Sequence, residues 1–274
     1  MKNVFFFQKT AVFSLLFLFS SSFIAWKTPP PAFRTVSNAA FEKGEFLKYR
    51  MHYGLITAGY ATLEVGSKTE TVNGRKCHHI IGKGFTTSSY DWVYKIRDRY
   101  ETFVDETALI PWRFIRHVEE GDFYSHTETR FEHAVKKAHY VNNKAEVTSY
   151  NVPENIQDVI SSFYYARTLN QKTLQVGSKI PLTNFLDQKT FNLQAQLLKR
   201  ETVNVDGHKY KALKMKLLIE EAGIITDGSK VHFWISDDEN KIPIRIEAEL
   251  AIGSVKADLI EYKNLKNAFS AKLD

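Results

Sequence analysis

The longest strict alternation in the chain ends at Leu250. Ile242, Ile244, Ile246, Ala248 and Leu250 are interleaved with Pro243, Arg245, Glu247 and Glu249. A period of two sends one set toward a core and the other toward water, which predicts a half-buried β-strand. Val231, Phe233 and Ile235 predict a strand before it, and residues 255–262 one after it. A further strand is expected over 210–219, following Asp206-Gly207, a pair suited to a tight hairpin; Gly223 and Asp227-Gly228 mark the next turn region. The first half of the chain reads the same way. Strands are predicted at 76–86, 98–104, 111–119 and 122–132, with hairpins at Asn73-Gly74, at 119–122 and at 142–144.

The two halves look related. Lys68-Thr-Glu-Thr-Val-Asn73 returns as Lys199-Arg-Glu-Thr-Val-Asn204, 131 residues on, and Gly121 returns as Gly253, 132 residues on. One helix is expected between the halves, over about 154–170. It opens with Pro153-Glu154, as helix starts favour, and carries Ile156, Val159, Ile160 and Phe163 as an apolar stripe. The predicted fold is mainly β: a curved antiparallel sheet or barrel-like sandwich built from two related β units, about 42–150 and 175–265, with the helix packed on it. Residues 42–265 form one domain in this reading. Residues 26–41 are a Pro-rich linker and 266–274 a tail.

Composition sharpens the picture at the N-terminus. Lys2 and Lys9 precede an uncharged apolar stretch over 11–25, which reads as a secretory signal peptide at 1–25. Ser20 and Ser22 place cleavage after Ser22, with Ala25 as a second site. The stretch is short for a membrane-spanning helix, and no other candidate follows it. The chain of 274 residues has 20 Phe, 13 Tyr and 4 Trp. Seven of the Phe fall within the first 23 residues. The net charge is +6, and the leader takes two lysines and no acid with it, leaving +4. So small a surplus gives no reason to expect nucleic acid. Cys77 is the single cysteine, so no internal disulfide is expected, and a buried strand position suits it. The implied address is the periplasm or outer envelope of a Gram-negative bacterium.

Candidate chemistry is sparse. Nine histidines are present, but no zinc-binding spacing, so no metal is expected. Asp237-Asp238-Glu239-Asn240 could offer oxygen ligands to calcium, yet its neighbours predict a turn. There is no nucleophile elbow and no phosphate loop, and Gly82-Lys-Gly84 is too short to be a nucleotide signature; no cofactor is expected. The segment 88–100 stands out. Tyr90, Trp92 and Tyr94 lie among Arg97 and Arg99, a mixture that suits a sugar, a lipid head group or a protein. Tyr164 and Arg167 on the predicted helix form a second such group. The alternative for both groups is ordinary strand and helix packing.

Several short motifs, in order, resemble the uncharacterised exported bacterial family called domain of unknown function 3108. They are Gly44-Glu45-x-Leu-x-Tyr49 with Tyr53-Gly54 and Ala58-Gly59, then Asp158 with the run from Ser161 to Arg167, then Phe233-Trp-Ile-Ser-Asp-Asp238 with Ile242-Pro243 and Gly253. The resemblance spans about 42–265. It implies a mainly β envelope protein and supplies no reaction and no catalytic residues. The favoured expectation is therefore a non-enzymatic envelope protein. It would hold a lipid or other amphiphilic or hydrophobic ligand, or dock on an envelope partner. The alternatives are a structural or interaction module without a small ligand, recognised by an exposed patch around Trp92, and a carbohydrate-active hydrolase, recognised by two carboxylates converging in a cleft.

Overall fold

The alternating segments assemble into one antiparallel sheet. The computed structural model describes residues 33–221, 224–226 and 230–274. The expected leader at 1–25 and the turn positions Gly223 and Asp227-Gly228 lie outside them. The strands are β1 (Phe46–Tyr53), β2 (Ile56–Val72), β3 (Arg75–Thr86), β4 (Arg97–Asp105), β5 (Pro111–Glu120), β6 (Phe123–Glu132), β7 (Lys137–Val141) and β8 (Val147–Asn151). The helix α1 (Val159–Thr168) follows. Then come β9 (Lys179–Leu186), β10 (Lys189–Val205), β11 (His208–Glu221), β12 (Ile224–Thr226), β13 (Val231–Ser236), β14 (Pro243–Glu249) and β15 (Ser254–Lys263).

The sheet order is β8-β7-β6-β5-β4-β3-β2-β1-β15-β14-β13-β11-β10-β9, with β12 appended to β11. Each half is a meander, and the halves join where β1 pairs with β15. The long hairpins turn at Asn73-Gly74 and Asp206-Gly207, where all four residues take positive φ, the demand that Asn-Gly and Asp-Gly meet cheaply. β2 and β10, which lead into these turns, each span 17 residues.

So many twisted strands curl. The two edges of the sheet come together through side chains. Phe185 on β9 lies with its ring centroid 5.5 Å from that of Tyr150 on β8 and 6.4 Å from that of Phe131 on β6. Arg116 on β5 pairs with Asp187 beyond β9. The Gln157 backbone adds the last link: its N–H donates to Thr183 O at 3.1 Å, and its C=O accepts from Phe185 N at 2.8 Å. The outward positions of the central strands are charged, including Lys48, Arg50, Arg245, Glu247, Lys256 and Asp258. Such a face lacks the apolar band that a lipid-spanning barrel needs.

The helix starts five residues later than Pro153-Glu154 predicts. Asn155 takes a positive φ, and Gln157 is held in extended pairing with β9, so the chain cannot be helical before Asp158. Asp158 is the N-cap: its carboxylate accepts from Ile160 N and Ser161 N, each at 2.8 Å, while Ser161 Oγ accepts from Asp158 N. Ile156 is still buried, but ahead of the helix. The boundaries of the domain also move outward. Residues 33–41, read as linker, are packed: Phe33 meets Trp112 edge-on, Arg34 donates to the carbonyls of Ala108 and Leu109, and Ala40 and Phe41 are fully buried. The supposed tail is packed too. Phe269 lies against Tyr210 and Tyr262, and Ala271 is fully buried. The alternation over 242–250 is interrupted at its start. A register shift between Trp234 and Ile235 turns Ile244 to the Trp234 side, where Tyr210 and Phe269 cover it, while Ile246 stays on the Phe233 side facing the helix.

Asp158 provides a test of this helix start. Burial pushes its carboxyl up to about 6, against the pull of its hydrogen bonds from Thr102, Ser161 and Ile160. A raised carboxyl contributes stability that is complete below its unfolded value near 3.8 and is lost as pH rises through about 6. Asp158→Asn keeps an oxygen for the two backbone donors and removes the charge. Urea unfolding should show wild type losing about 2–3 kcal/mol relative to Asp158→Asn between about pH 4 and pH 7. Parallel pH profiles for the two proteins would contradict this placement of the carboxyl.

Candidate functional site

The helix does not fill the concave side of the sheet. Two apolar chambers flank it. The first, about 270 Å³, lies between α1 and strands β9, β10, β11 and β13, with Leu182, Leu193, Met215 and Ile235 among its walls. The second, about 450 Å³, lies between α1 and the strands β1 to β4, β14 and β15, with Tyr49, Met51, Tyr100 and Ile246 among its walls. Val159, Phe163 and Phe233 belong to both. The second falls within the range of small-molecule pockets, about 300–1,000 Å³, and the first just below it.

The second chamber exists because several inward positions carry little side chain. Gly82 and Gly84 on β3, Ala61 on β2 and Ala257 on β15 all line the second chamber. Neighbouring inward positions hold the large residues Leu63 and Ile80, which do pack. Gly82 is tightly placed: a Cβ there would lie 3.3 Å from Ile160 Cδ1. At Gly84 the nearest neighbour to a Cβ would be Asp98 Cβ, 4.0 Å away, an ordinary contact, so a side chain can start there without a clash. Gly82-Lys-Gly84 thus has a role, but as missing wall rather than as a phosphate cradle.

Polar groups gather at one end of the first chamber. Lys241, Gln171 and Arg167 line it there, and Lys241 and Gln171 also line an adjoining polar cleft of about 360 Å³ with Lys172, Asp238 and Glu239. The residues of the acidic turn are engaged by the protein itself. Asp237 takes a bidentate pair with Arg200, and Asp238 accepts from Ser236 Oγ and from the backbone N–H groups of Asn240, Lys241 and Ala271. Among the described residues, no three metal-binding side chains converge.

The seven residues singled out in the sequence go to three different places. Tyr90, Trp92 and Tyr94 sit in the loop between β3 and β4, and Trp92 is 84% exposed. Arg97 is paired with Asp91 at 2.6 Å and Arg99 with Glu101 at 2.7 Å. Tyr164 and Arg167 are buried. Arg167 donates to both oxygens of Glu45, at 2.6 and 2.7 Å, and to the carbonyls of Ala40 and Asn240, a structural clamp that leaves little of it for the chamber it borders. Burial, with Glu45 alongside, raises the Tyr164 phenol well above its ordinary range. Tyr100, at the end of the same sequence motif, turns inward and lines the second chamber. Asp98 and Glu120 do meet: burial and then the Asp98 carboxylate raise the Glu120 carboxyl. Neither lines a chamber.

Trp92 belongs to a longer feature. In an antiparallel sheet the turns after β1, β3, β5 and β14 fall at the same end, and these strands and their partners are contiguous. That end carries Leu55 at 100% exposure, Ile252 at 81%, and exposed Tyr53, Ile56, Val93, Tyr94, Phe123 and Tyr124. The tips touch one another: Tyr53 OH donates to Ile252 O at 3.0 Å, and the Tyr94 ring lies over Gly121.

A family model described as a protein of unknown function, DUF3108, matches residues 48–260. No curated protein matches the sequence. Among solved structures, the fold is similar to that of a β-barrel-like protein of the domain of unknown function DUF1849 from Brucella abortus. The TM-score is 0.53 at 11% identity, over 85% of this chain and 99% of that one. Two further structures align with lower scores. One is provisionally described as a lipoprotein from Parabacteroides distasonis (TM-score 0.34, 10% identity, 85% of this chain and 100% of that one). The other is provisionally described as an exported protein from Bacteroides fragilis (TM-score 0.31, 12% identity, 84% and 99%). Scores at that level carry no fold assignment.

Proposed function

The chain belongs to the DUF3108 family, and from that premise we propose that it is an exported envelope protein which holds the apolar part of an amphiphilic molecule between helix and sheet. The observation that carries the reading is the pair of apolar chambers beside α1, the larger of them walled in part by strand positions that hold Gly and Ala where a packed core would hold larger residues. The leader at 1–25 supports the address. Without an occupant, such chambers forfeit the dispersion contacts that a close-packed interior gains. A hydrocarbon chain restores them. The test is uptake of N-phenylnaphthylamine, a fluorophore that brightens in apolar surroundings, followed by displacement with a long-chain fatty acid. Saturable uptake with one-to-one displacement is expected. An unchanged emission would overturn the reading.

The rim of exposed apolar tips favours a second role for the same protein, resting on a lipid surface. Its apolar residues stand on separate hairpin tips, which suit a deformable lipid interface better than a matching protein surface, and Trp and Tyr favour that interface. The nearby cations are paired within the protein, Arg97 with Asp91 and Lys95 with Glu119, and Asp122 at the β5–β6 tip adds a negative charge, so the rim suits neutral lipid rather than anionic lipid. Wild type should float with phosphatidylcholine vesicles, and the double substitution Leu55→Asp, Trp92→Asp should leave most of the protein in the soluble fraction. Equal flotation of both proteins, or none of either, would count against the rim.

A further inference from the structure

Lys241 stands where apolar chamber and polar cleft meet. It is 7% exposed and lines both. Its backbone takes a positive φ of 50°, a conformation uncommon outside glycine, asparagine and aspartate, and Lys241 N donates to Asp238 Oδ1. A lysine side chain this buried normally offers its ammonium a close partner. Lys241 has a distant one: Glu239 Oε2 is 4.0 Å away, and the same carboxylate is held by Lys172 at 2.8 Å. The nearby Arg167 is matched by Glu45. Burial lowers the Lys241 ammonium, as expected of a charge without close compensation.

Two further polar groups face the same space. Gln171 Oε1 and Asn184 Oδ1 accept no hydrogen bond, although Gln171 is 6% and Asn184 5% exposed, and both residues line the first chamber. A buried acceptor left without a donor costs free energy that a ligand hydroxyl, an amide or a trapped water can return. The chamber therefore has an apolar body, a weakly paired cation at its mouth, and unsatisfied amides beside that cation and along one wall.

We propose that this is the head-group end of the site, and that the ligand is a carboxylate-bearing amphiphile of the fatty-acid class. Its carboxylate pairs with Lys241 beside Gln171, and its chain runs along Leu182, Leu193 and Met215 under the helix. This rests on the reading of the chambers as a binding site, and adds the charge and position of the head.

The experiment compares a long-chain fatty acid with the alcohol of the same chain length, each displacing N-phenylnaphthylamine from wild type, Lys241→Met and Lys241→Arg. Wild type should bind the acid about tenfold more tightly than the alcohol, the scale of one charge-assisted contact. Lys241→Met should lose that preference, and its urea midpoint beside that of wild type shows that the variant is folded. Lys241→Arg should keep the preference. If acid and alcohol bind alike in wild type, or if the preference survives in Lys241→Met, the head-group assignment is overturned while the chambers remain a binding site. If neither compound displaces the fluorophore, the binding reading itself fails, and the assignment with it.

Discussion

Replacing Arg167 with Met should cost about 3–5 kcal/mol, enough to unfold a large fraction of the protein under mild denaturant. Arg167 and Glu45 are 1% and 0% exposed, and their two parallel bonds are 2.6 and 2.7 Å long. Removing the guanidinium leaves the Glu45 carboxylate buried without its counter-charge. It also strips the donors from Ala40 O and Asn240 O. The loss is spread across the fold, because this one side chain joins the end of α1 to the entry of β1, to the N-terminal segment and to the turn before β14. Replacing both partners, Arg167→Met with Glu45→Leu, should recover about half the loss, since no charge is then stranded but the two carbonyls still are. Urea midpoints of the wild type, the two single variants and the double variant measure the coupling. A single-variant loss below about 1 kcal/mol would show that the pair does not hold the helix in place.

Gly84→Phe should act on binding rather than on folding. A Cβ at the position would meet nothing closer than Asp98 Cβ at 4.0 Å, and the position is part of the wall of the larger chamber. A phenyl group there fills part of the chamber, and strand propensity favours Phe over Gly. Stability should hold or rise by up to about 1 kcal/mol. A chain long enough to pass Phe163 and Phe233 from the first chamber into the second then loses room. Each methylene kept out of the site costs about 0.8 kcal/mol, so two of them weaken binding about tenfold. A short-chain analogue held in the first chamber alone should bind Gly84→Phe within about twofold of wild type. Gly82→Phe is the contrast: its side chain would collide with Ile160 and Leu63, and it should destabilise the protein by about 1–3 kcal/mol. If Gly84→Phe binds the long chain as well as wild type does, the second chamber is not part of the site.

Strand positions were legible because an antiparallel strand writes its exposure into alternate residues. The segments predicted at 76–86, 98–104, 111–119 and 122–132 are β3 to β6 to within a residue or two at either end. The hairpins at Asn73-Gly74 and Asp206-Gly207 could be read because those pairs meet positive φ cheaply. The helix start was misplaced because Pro153-Glu154 is a sound N-terminal signal, overridden when Gln157 pairs with β9. The true signal, Asp158-x-x-Ser161, is a capping box with Ser in the place of the usual Glu or Gln. Two helix residues, Tyr164 and Arg167, were chosen as binding candidates for their chemistry. Their burial depends on Glu45 and Phe41, more than 100 residues earlier in the chain, which no local pattern could place.

Whether the interior is filled or hollow is not legible in the strand pattern, for a different reason. A cavity leaves no residue of its own to read, only smallness at inward positions. Gly82, Gly84, Ala61 and Ala257 carry that signal, and it becomes visible once the strand alternation is followed for volume as well as for polarity.

The central claim is that the interior of this sheet is a place for an amphiphile. Native mass spectrometry of the protein taken from the envelope of its own cells, without detergent, tests it most directly. The account predicts one added amphiphile per chain, removed by organic solvent and found to carry a carboxylate. A bare polypeptide mass, with no uptake when fatty acid is added, would contradict it.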